Sequence, residues 1–471
     1  MMSDALRTLL PIAGWTEDRA RAVEITGGTD PILPTPFRIG ETSAAALAAV
    51  GMAAADLWEL RTGRRQEVAV AARHATASLR GGRYMRLEKA PEAAERERSI
   101  AGIYPSKNGR WSYLHAGWPN HRDGVLKVLK VPNDREAVAK ALTTWDALEF
   151  EDAMIAAGSA GGMVRSMAEW AKHPQSAAIA SLPLVEIIKI GDSPPEKLPY
   201  GDRPLSGVRV LDLTRVIAGP ISGRTLAEHG ADVLKITAAH LPDSGNSDYD
   251  TGRGKLSAHL DLRDPEQLET LVGLIRETDV FSQGYRPGTL AERGLSPEAL
   301  AQLRPGIVVA SLCAFSHVGP WASRRGFDTV VQAISGIALR QTELFPGPTP
   351  VPVFYPVSAI DYLTGYLMAF GTMVALKKRV IEGGSWLVRL SLAQTGHWIV
   401  QRGQVPESEL KGVPAEFTPA ELERWMMASD TPTGRQHHLR PVVGLSETPP
   451  RWSRPSVPLG YNDAVWPGRD G

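Results

Sequence analysis

"LTRVIAGPISGRTLAEHGADVLKI" occupies residues 213–236. It reads as the end of a strand, a glycine-proline turn, a helix and a second short strand, the way a nucleotide-binding β-α-β unit begins. Its glycines do not follow G-x-G-x-x-G, and it starts near the middle of a 471-residue chain. The ligand therefore cannot be read from a dinucleotide fingerprint, and the first 200 residues need their own account.

Downstream of this stretch, strands and helices alternate. "VRVLDLT" (208–214), "ADVLKI" (231–236), "DVFSQ" (279–283) and "GIVVASLCAF" (306–315) have strand character. "GRTLAEHG" (223–230), "DPEQLETLVGLIRET" (264–278) and "SPEALAQLRP" (296–305) have helical character. Such alternation predicts an α/β fold with a doubly wound parallel, Rossmann-like sheet, whose ligands bind beyond the carboxyl ends of the strands. Upstream lies a linker dense in proline and glycine, "GDSPPEKLPYGDRPLSG" (191–207), where the main boundary is expected. Before it, "GRWSYLHAG" (109–117), "NDREAVAKALTTW" (133–145) and "LEFEDAMIAAG" (148–158) predict a second, smaller α/β domain over 100–190, with Trp111, Trp145 and Trp170 in its core.

Composition excludes little. Apolar residues make up 43% and charged residues 22%, and formal net charge is zero. Nothing global points to nucleic acid or to a membrane, so an anionic ligand must meet local positive charge. Cys313 is the only cysteine, which rules out an intrachain disulfide or a cysteine-built metal site. The amino-terminal residues do not resemble a signal peptide, and "GYLMAFGTMVAL" (365–376) is too short to span a bilayer. A reducing, cytoplasmic setting is the expectation.

An internal repeat organises the rest. Residues 41–70, "ETSAAALAAVGMAAADLWELRTGRRQEVAV", align without a gap on 361–390, "DYLTGYLMAFGTMVALKKRVIEGGSWLVRL". At this constant offset of 320, Glu41 meets Asp361, Gly51 meets Gly371, Gly63 meets Gly383 and Val68 meets Val388. A second echo links 190–207 with "LSETPPRWSRPSVPLG" (445–460). The expected organisation is an extension (1–35), a partial copy (36–200), a Rossmann-like large domain (201–400) and a return segment (401–471).

Several ordered segments resemble the family III CoA-transferases, the group of formyl-CoA and carnitine CoA-transferases. They are "PLSGVRVLDLTRVIAGP" (204–220), "LAEHGADVLKI" (226–236), "GRGKLSAHLDL" (252–262), "YRPGTLAERGLS" (285–296), "GPWASRRGFDTVVQAISGIA" (319–338) and the acid-led helix from Asp361. Residues 36–200 resemble the second part of a family subunit, so the chain carries the family's parts in an unusual order. The resemblance implies an enzyme that moves CoA, a sulfur-containing group, between an acyl-CoA and a carboxylic acid acceptor. It implies no cofactor beyond CoA as substrate, and possibly a homodimer.

The resemblance also assigns roles. Asp361 would be the nucleophile: a carboxylate attacking a thioester gives a mixed anhydride of similar reactivity and frees CoA thiolate. At a helix start, the dipole is expected to hold this carboxylate ionised. Ile217, Ala218, Gly219 and Pro220 would bring backbone close to the ligand at a helix amino terminus. Lys235, Arg253, Lys255 and Arg286, with Tyr285 and Gly288, would meet the nucleotide and its phosphates. One departure is that "IK" is followed by Thr237, Ala238 and Ala239 rather than by an acid and a base.

Glu41 holds the place of Asp361 in the partial copy and reads as a structural relic. Two alternatives stand beside the transferase: a racemase-type isomerase using Asp328, and a non-catalytic CoA-binding subunit. The family's racemases carry histidine before that aspartate, where this chain has Phe327; His317 is a loose substitute. "HRDG" (121–124) lacks the rest of a kinase loop, and the scattered histidines, His115 among them, read as satisfied surface or core positions. After Asp361 only "EGGSW" (382–386) is glycine-rich, a turn rather than a cover, and "AGSAGG" (157–162) lies in the other half.

Overall fold

The computed structural model describes residues 3–88, 100–347 and 349–468; residues 89–99, inside the 36–200 segment, lie outside the described residues. In chain order the strands are β1 (Val23–Thr26), β2 (Val68–Ala71), β3 (Arg86–Leu87), β4 (Gly102–Pro105), β5 (Trp111–Leu114), β6 (Gly161–Met163), β7 (Glu186–Gly191) and β8 (Arg209–Asp212). There follow β9 (Asp232–Thr237), β10 (Lys255–His259), β11 (Val280–Gln283), β12 (Val308–Cys313), β13 (Ser385–Ser391), β14 (Met426–Thr431), β15 (Gly434–Leu439) and β16 (Val443–Leu445).

The large sheet has the order β10-β9-β8-β11-β12-β13-β7. All its pairings are parallel except β13 with β7. This is the Rossmann-like sheet expected from the strand–helix alternation. Burial on both faces explains why its strands read as runs of Val, Leu and Ile rather than alternating. The smaller α/β unit has an antiparallel sheet β4-β5-β6 covered by the helices Pro119–Leu129, Arg135–Leu142 and Ala147–Ala156.

The two aligned stretches form similar elements. The Glu41 helix runs Ile39–Thr62 and the Asp361 helix Ala359–Glu382, 24 residues each. Each ends at a glycine of positive φ, Gly63 (φ +74°) and Gly383 (φ +67°). Both are long and apolar enough to cross a bilayer, more so than the 365–376 run suggests, yet their most apolar windows are 89% and 100% buried. They are core helices that pack on each other. The sheet order β1-β2-β16 repeats β12-β13-β7: a parallel neighbour on one side and an antiparallel one on the other.

Glycine makes the helix-on-strand contact possible in both copies. A Cβ on Gly51 would lie 2.5 Å from Val68 and 2.8 Å from Val443; one on Gly371 would lie 2.8 Å from both Val388 and Val185.

The expected boundaries need three corrections. Residues 1–35 are not an extension: β1 pairs with β2, and the helix Asp4–Ala13 packs on the Glu41 helix. Second, β7 precedes the linker but forms an edge of the large sheet, while β16 returns to pair with β2, so each half of the chain closes the other's sheet. The alternating apolar pattern fixes that a strand forms, not which sheet takes it. Third, Trp111 and Trp170 leave the small core for the main one, and Trp170 stacks on Trp321, ring centroids 5.8 Å apart, where the two halves meet.

Candidate functional site

Asp361 lies in the first turn of its helix and is 6% exposed. It is not the cap. Asp328, 5% exposed at the start of the helix Asp328–Ile334, performs that task by accepting the backbone N–H of Asp361 at 3.0 Å. The other Asp328 oxygen accepts from Gln332 Nε2, and Gln332 Oε1 accepts from the backbone of Tyr355 (3.2 Å). The two buried carboxyl groups thus lie close to each other and to the buried Tyr355 hydroxyl.

This burial reverses the expected ionisation. Loss of water and the neighbouring Asp328 push Asp361 well above the ordinary aspartate range. Burial raises Asp328 to about 6 against the hydrogen bonds that favour its charge. A helix dipole contributes little compared with a like charge inside a dry pocket. Both shifts favour the protonated carboxyl, against the expectation that the helix start would hold Asp361 ionised.

The turn quoted at the outset is packed beside this pocket. Val216 takes φ +71°, and Ile217 precedes the helix Ala218–Glu228 with no side chain capping it. The first N–H groups of that helix therefore have no intrahelical acceptor. Gly219 must lack a side chain, because a Cβ there would stand 2.3 Å from Thr214. Gly365, one turn beyond Asp361 on the same helix face, abuts the Ala218 carbonyl, 2.5 Å from where its Cβ would be. Ile217, Ala218, Gly219 and Pro220 therefore lie at the Asp361 end of the contact.

Three of the expected phosphate ligands are placed otherwise. Lys235 binds Asp248 (2.8 Å), Arg253 binds Asp250 (2.9 Å), and Lys255 binds Asp212 and the Pro220 carbonyl (both 2.8 Å). All three are buried, and burial draws Lys255 down to about 8 despite its partner. They are internal ion pairs that brace the turn, because a strand end inside a wound sheet is covered by neighbouring helices. Tyr285, Arg286 and Gly288 do share a surface cleft of about 160 Å³, together with Gln283, Ser311 and Arg389 at the strand ends.

The open positive charge comes from elsewhere. Among the described residues Arg215, Arg286 and Arg325 form no ion pair. Arg215 and Arg293 lie near Tyr285, whose hydroxyl burial raises against them, and burial and then Arg286 depress the Arg325 guanidinium. Arg215 and Arg325 were missed as candidates. Each stands beside a motif that was recognised, Arg215 just before "VIAGP" and Arg325 just before "GFD".

The smaller unit reaches the same mouth. Tyr113 shares a hydrogen bond with Thr329 (2.7 Å), and the His115 ring stacks on Phe327, centroids 3.9 Å apart and 6° from parallel. His121 approaches Phe327 edge-on at 5.5 Å. Burial holds both histidines at about 4, so they are neutral, and the Nδ1 atom of each is buried without a partner. His115 is therefore not a satisfied core residue. His317 stays away from the pair, 3.6 Å from Glu186.

Glu41 has a different neighbourhood. Its carboxylate accepts the backbone N–H of Ala5 (3.0 Å), at the start of the Asp4–Ala13 helix. Asp30 accepts from Gly40 (2.9 Å) and Glu41 (2.8 Å), the counterpart of Asp328 with Asp361. The partial copy repeats the acid pair, but its acid is spent on a helix.

Residues 205–431 match the family model "CoA-transferase family III". An acyl-CoA transferase of Gibberella moniliformis is 25% identical over 96% of this chain and 92% of its own length. Succinyl-CoA–D-citramalate CoA-transferase of Chloroflexus aurantiacus is 32% identical over 45% of this chain; the chain spans 54% of that relative. A crystal structure of Rv3272 from Mycobacterium tuberculosis, 30% identical, covers 43% of this chain and 59% of its own, with a TM-score of 0.38. Over residues 205–431 the chain is therefore similar to CoA-transferase family III.

Proposed function

We propose that the protein transfers CoA from an acyl-CoA to a carboxylic acid, with Asp361 as the covalent nucleophile. The observation that carries this reading is a buried carboxyl group, Asp361, on a helix packed against the uncapped helix Ala218–Glu228, with Arg215 just before that terminus and without an ion pair among the described residues. The relatives, named as CoA-transferases, support the class of reaction.

Arg215, Arg286 and Arg325 would receive the phosphates of CoA, with Tyr285 and Gly288 along the cleft and the backbone of Ile217–Gly219 facing the thioester end. The reactive form is the Asp361 carboxylate. Its carboxylate oxygen then attacks the thioester carbonyl; the C–S bond breaks and CoA leaves as thiolate, giving an acyl-aspartyl anhydride. The thiolate attacks the aspartyl carbonyl of that anhydride and releases the first acid as carboxylate. The acceptor carboxylate attacks the resulting aspartyl thioester, and the returning thiolate takes the acceptor's acyl group, which restores Asp361. Each step exchanges one activated acyl bond for another, so no outside energy is needed.

The isomerase reading would need a free base at Asp328. Both of its oxygens are engaged, by Gln332 and by the Asp361 N–H, which disfavours that role. The deciding experiment is to incubate the protein with several acyl-CoAs, quench, and look by mass spectrometry for an adduct on the peptide containing Asp361. An adduct in the wild type and none in Asp361→Ala is expected. CoA binding without any adduct would overturn the assignment.

A further inference from the structure

An anhydride in an open pocket is lost to water, and neither glycine-rich stretch serves as a cover: "EGGSW" leads into β13, and Gly161 and Gly162 pair with β5. The segment between β5 and the helix Pro119–Leu129 is differently placed. It leaves β5 at His115, whose N–H bonds the Ala160 carbonyl (3.0 Å), and is gathered again where the Trp118 carbonyl accepts from His121 (3.0 Å) and Arg122 (2.9 Å). Gly117, between them, is exposed, with no atom within 4 Å of where a Cβ would stand.

These few residues touch two walls of the site. His115 lies flat on Phe327, the neighbour of Asp328. On the other side the Arg215 guanidinium lies over the Trp118 ring at 5.5 Å, and the same guanidinium donates to the Pro242 carbonyl at 2.6 Å. Arg215 is two residues before Ile217, so its direction decides where positive charge stands relative to the open helix terminus. Without an ion-pair partner, its two anchors are the carbonyl and the indole face.

We propose that Trp118, supplied by the partial copy, is a positioning residue for the CoA site: it holds Arg215 at the mouth while residues 115–121 cover the Asp361 pocket. The partial copy would thus complete the centre that the other half carries. The inference rests on the CoA-transferase reading for its ligand, and it adds the residue that orients the ligand's counter-charge.

The test is equilibrium binding of free CoA to the full chain, comparing wild type, Trp118→Ala and Trp118→Phe at several salt concentrations, with thermal melts to confirm folding. Loss of a stacked guanidinium should weaken CoA by roughly three- to tenfold, flatten the salt dependence, and be largely repaired by phenylalanine. Hydrogen exchange of the peptide spanning 113–122 should slow when CoA binds. Unchanged affinity and salt slope in Trp118→Ala, or unprotected 113–122 peptide in the complex, would overturn the proposal. If CoA binds but no acyl adduct forms, the nucleophile assignment fails while these comparisons still decide the role of Trp118. A wild type that does not bind CoA would sink both.

Discussion

The Asp328 carboxylate holds the backbone N–H of Asp361 at 3.0 Å. The residue that anchors the helix start is therefore also the like charge that, after burial, pushes the Asp361 carboxyl upward. One residue thus bears on both position and ionisation, and attack needs the carboxylate form of Asp361.

The pH profile of kcat/KM should therefore rise on its acid side, with a midpoint above the ordinary aspartate value of 3.8. The midpoint belongs to the pair rather than to either residue. Asp328→Asn removes the like charge while keeping an oxygen for the Asp361 N–H, so it should move the rising limb to lower pH. Steady-state rates from pH 4.5 to 8.5 check this; a limb that stays in place would remove Asp328 as the cause.

Asp361→Asn should abolish transfer, by at least about 10³-fold, as loss of a covalent nucleophile does. It should also stabilise the protein at neutral pH. The folded carboxyl binds its proton more tightly than the unfolded one does, so wild-type stability falls as pH rises from about 4. The asparagine does not pay this cost. The melting temperature of the variant should exceed the wild type by several degrees at pH 8, with the gap closing near pH 4.

Arg286→Ala and Arg325→Ala should each weaken CoA several-fold, with a shallower salt dependence and unchanged melting temperature, since neither makes an ion pair. Lys255→Met should do the reverse. It leaves Asp212 buried without its partner, which costs about 3–5 kcal/mol, and it should act on stability first. Calorimetric binding and thermal melts on the same preparations separate the two classes.

How much was legible follows from these residues. The strand–helix alternation and the 320-residue offset are local patterns, so the sheet and the paired core helices could be read from them. Asp361, Tyr285, Arg286 and Gly288 became candidates because motifs carry them. Lys235, Arg253 and Lys255 look the same in sequence whether they face a ligand or an aspartate. Asp248, Asp250 and Asp212, which neutralise them, are known as partners only once the chain is folded. Trp118 and His115 lie more than 200 positions from Asp361, with no spacing that connects them to it. The exchange of β7 and β16 between the halves was hidden for a similar reason: a strand's pattern states which face is apolar, not which neighbour completes its ladder.

The matched glycines make the repeat testable. A methyl group at Gly51 would press into Val68 and Val443, and one at Gly371 into Val388 and Val185. Gly51→Ala and Gly371→Ala should each cost about 1–3 kcal/mol, the size of overpacking a tight core. Similar losses from urea denaturation would fit one packing solution used twice; a neutral Gly51→Ala would show that the partial copy has relaxed.

Glu41 separates a repeated fold from a repeated function. Its carboxylate stands where Asp361 stands in the other copy, and its aspartate partner, Asp30, matches Asp328. Yet Glu41 is satisfied by the Ala5 N–H, so the Asp4–Ala13 helix fills the approach that a thioester would need. Glu41→Gln should therefore leave turnover within twofold of wild type. Glu41→Ala should lower stability by about 0.5–2 kcal/mol, the usual loss when a helix amino terminus loses its side-chain acceptor. Quantitative labelling with an acyl-CoA should give at most one acyl group per chain, all of it on the Asp361 peptide. A second label on the peptide containing Glu41 would mean that the amino-terminal helix opens in solution and that the partial copy is a working centre.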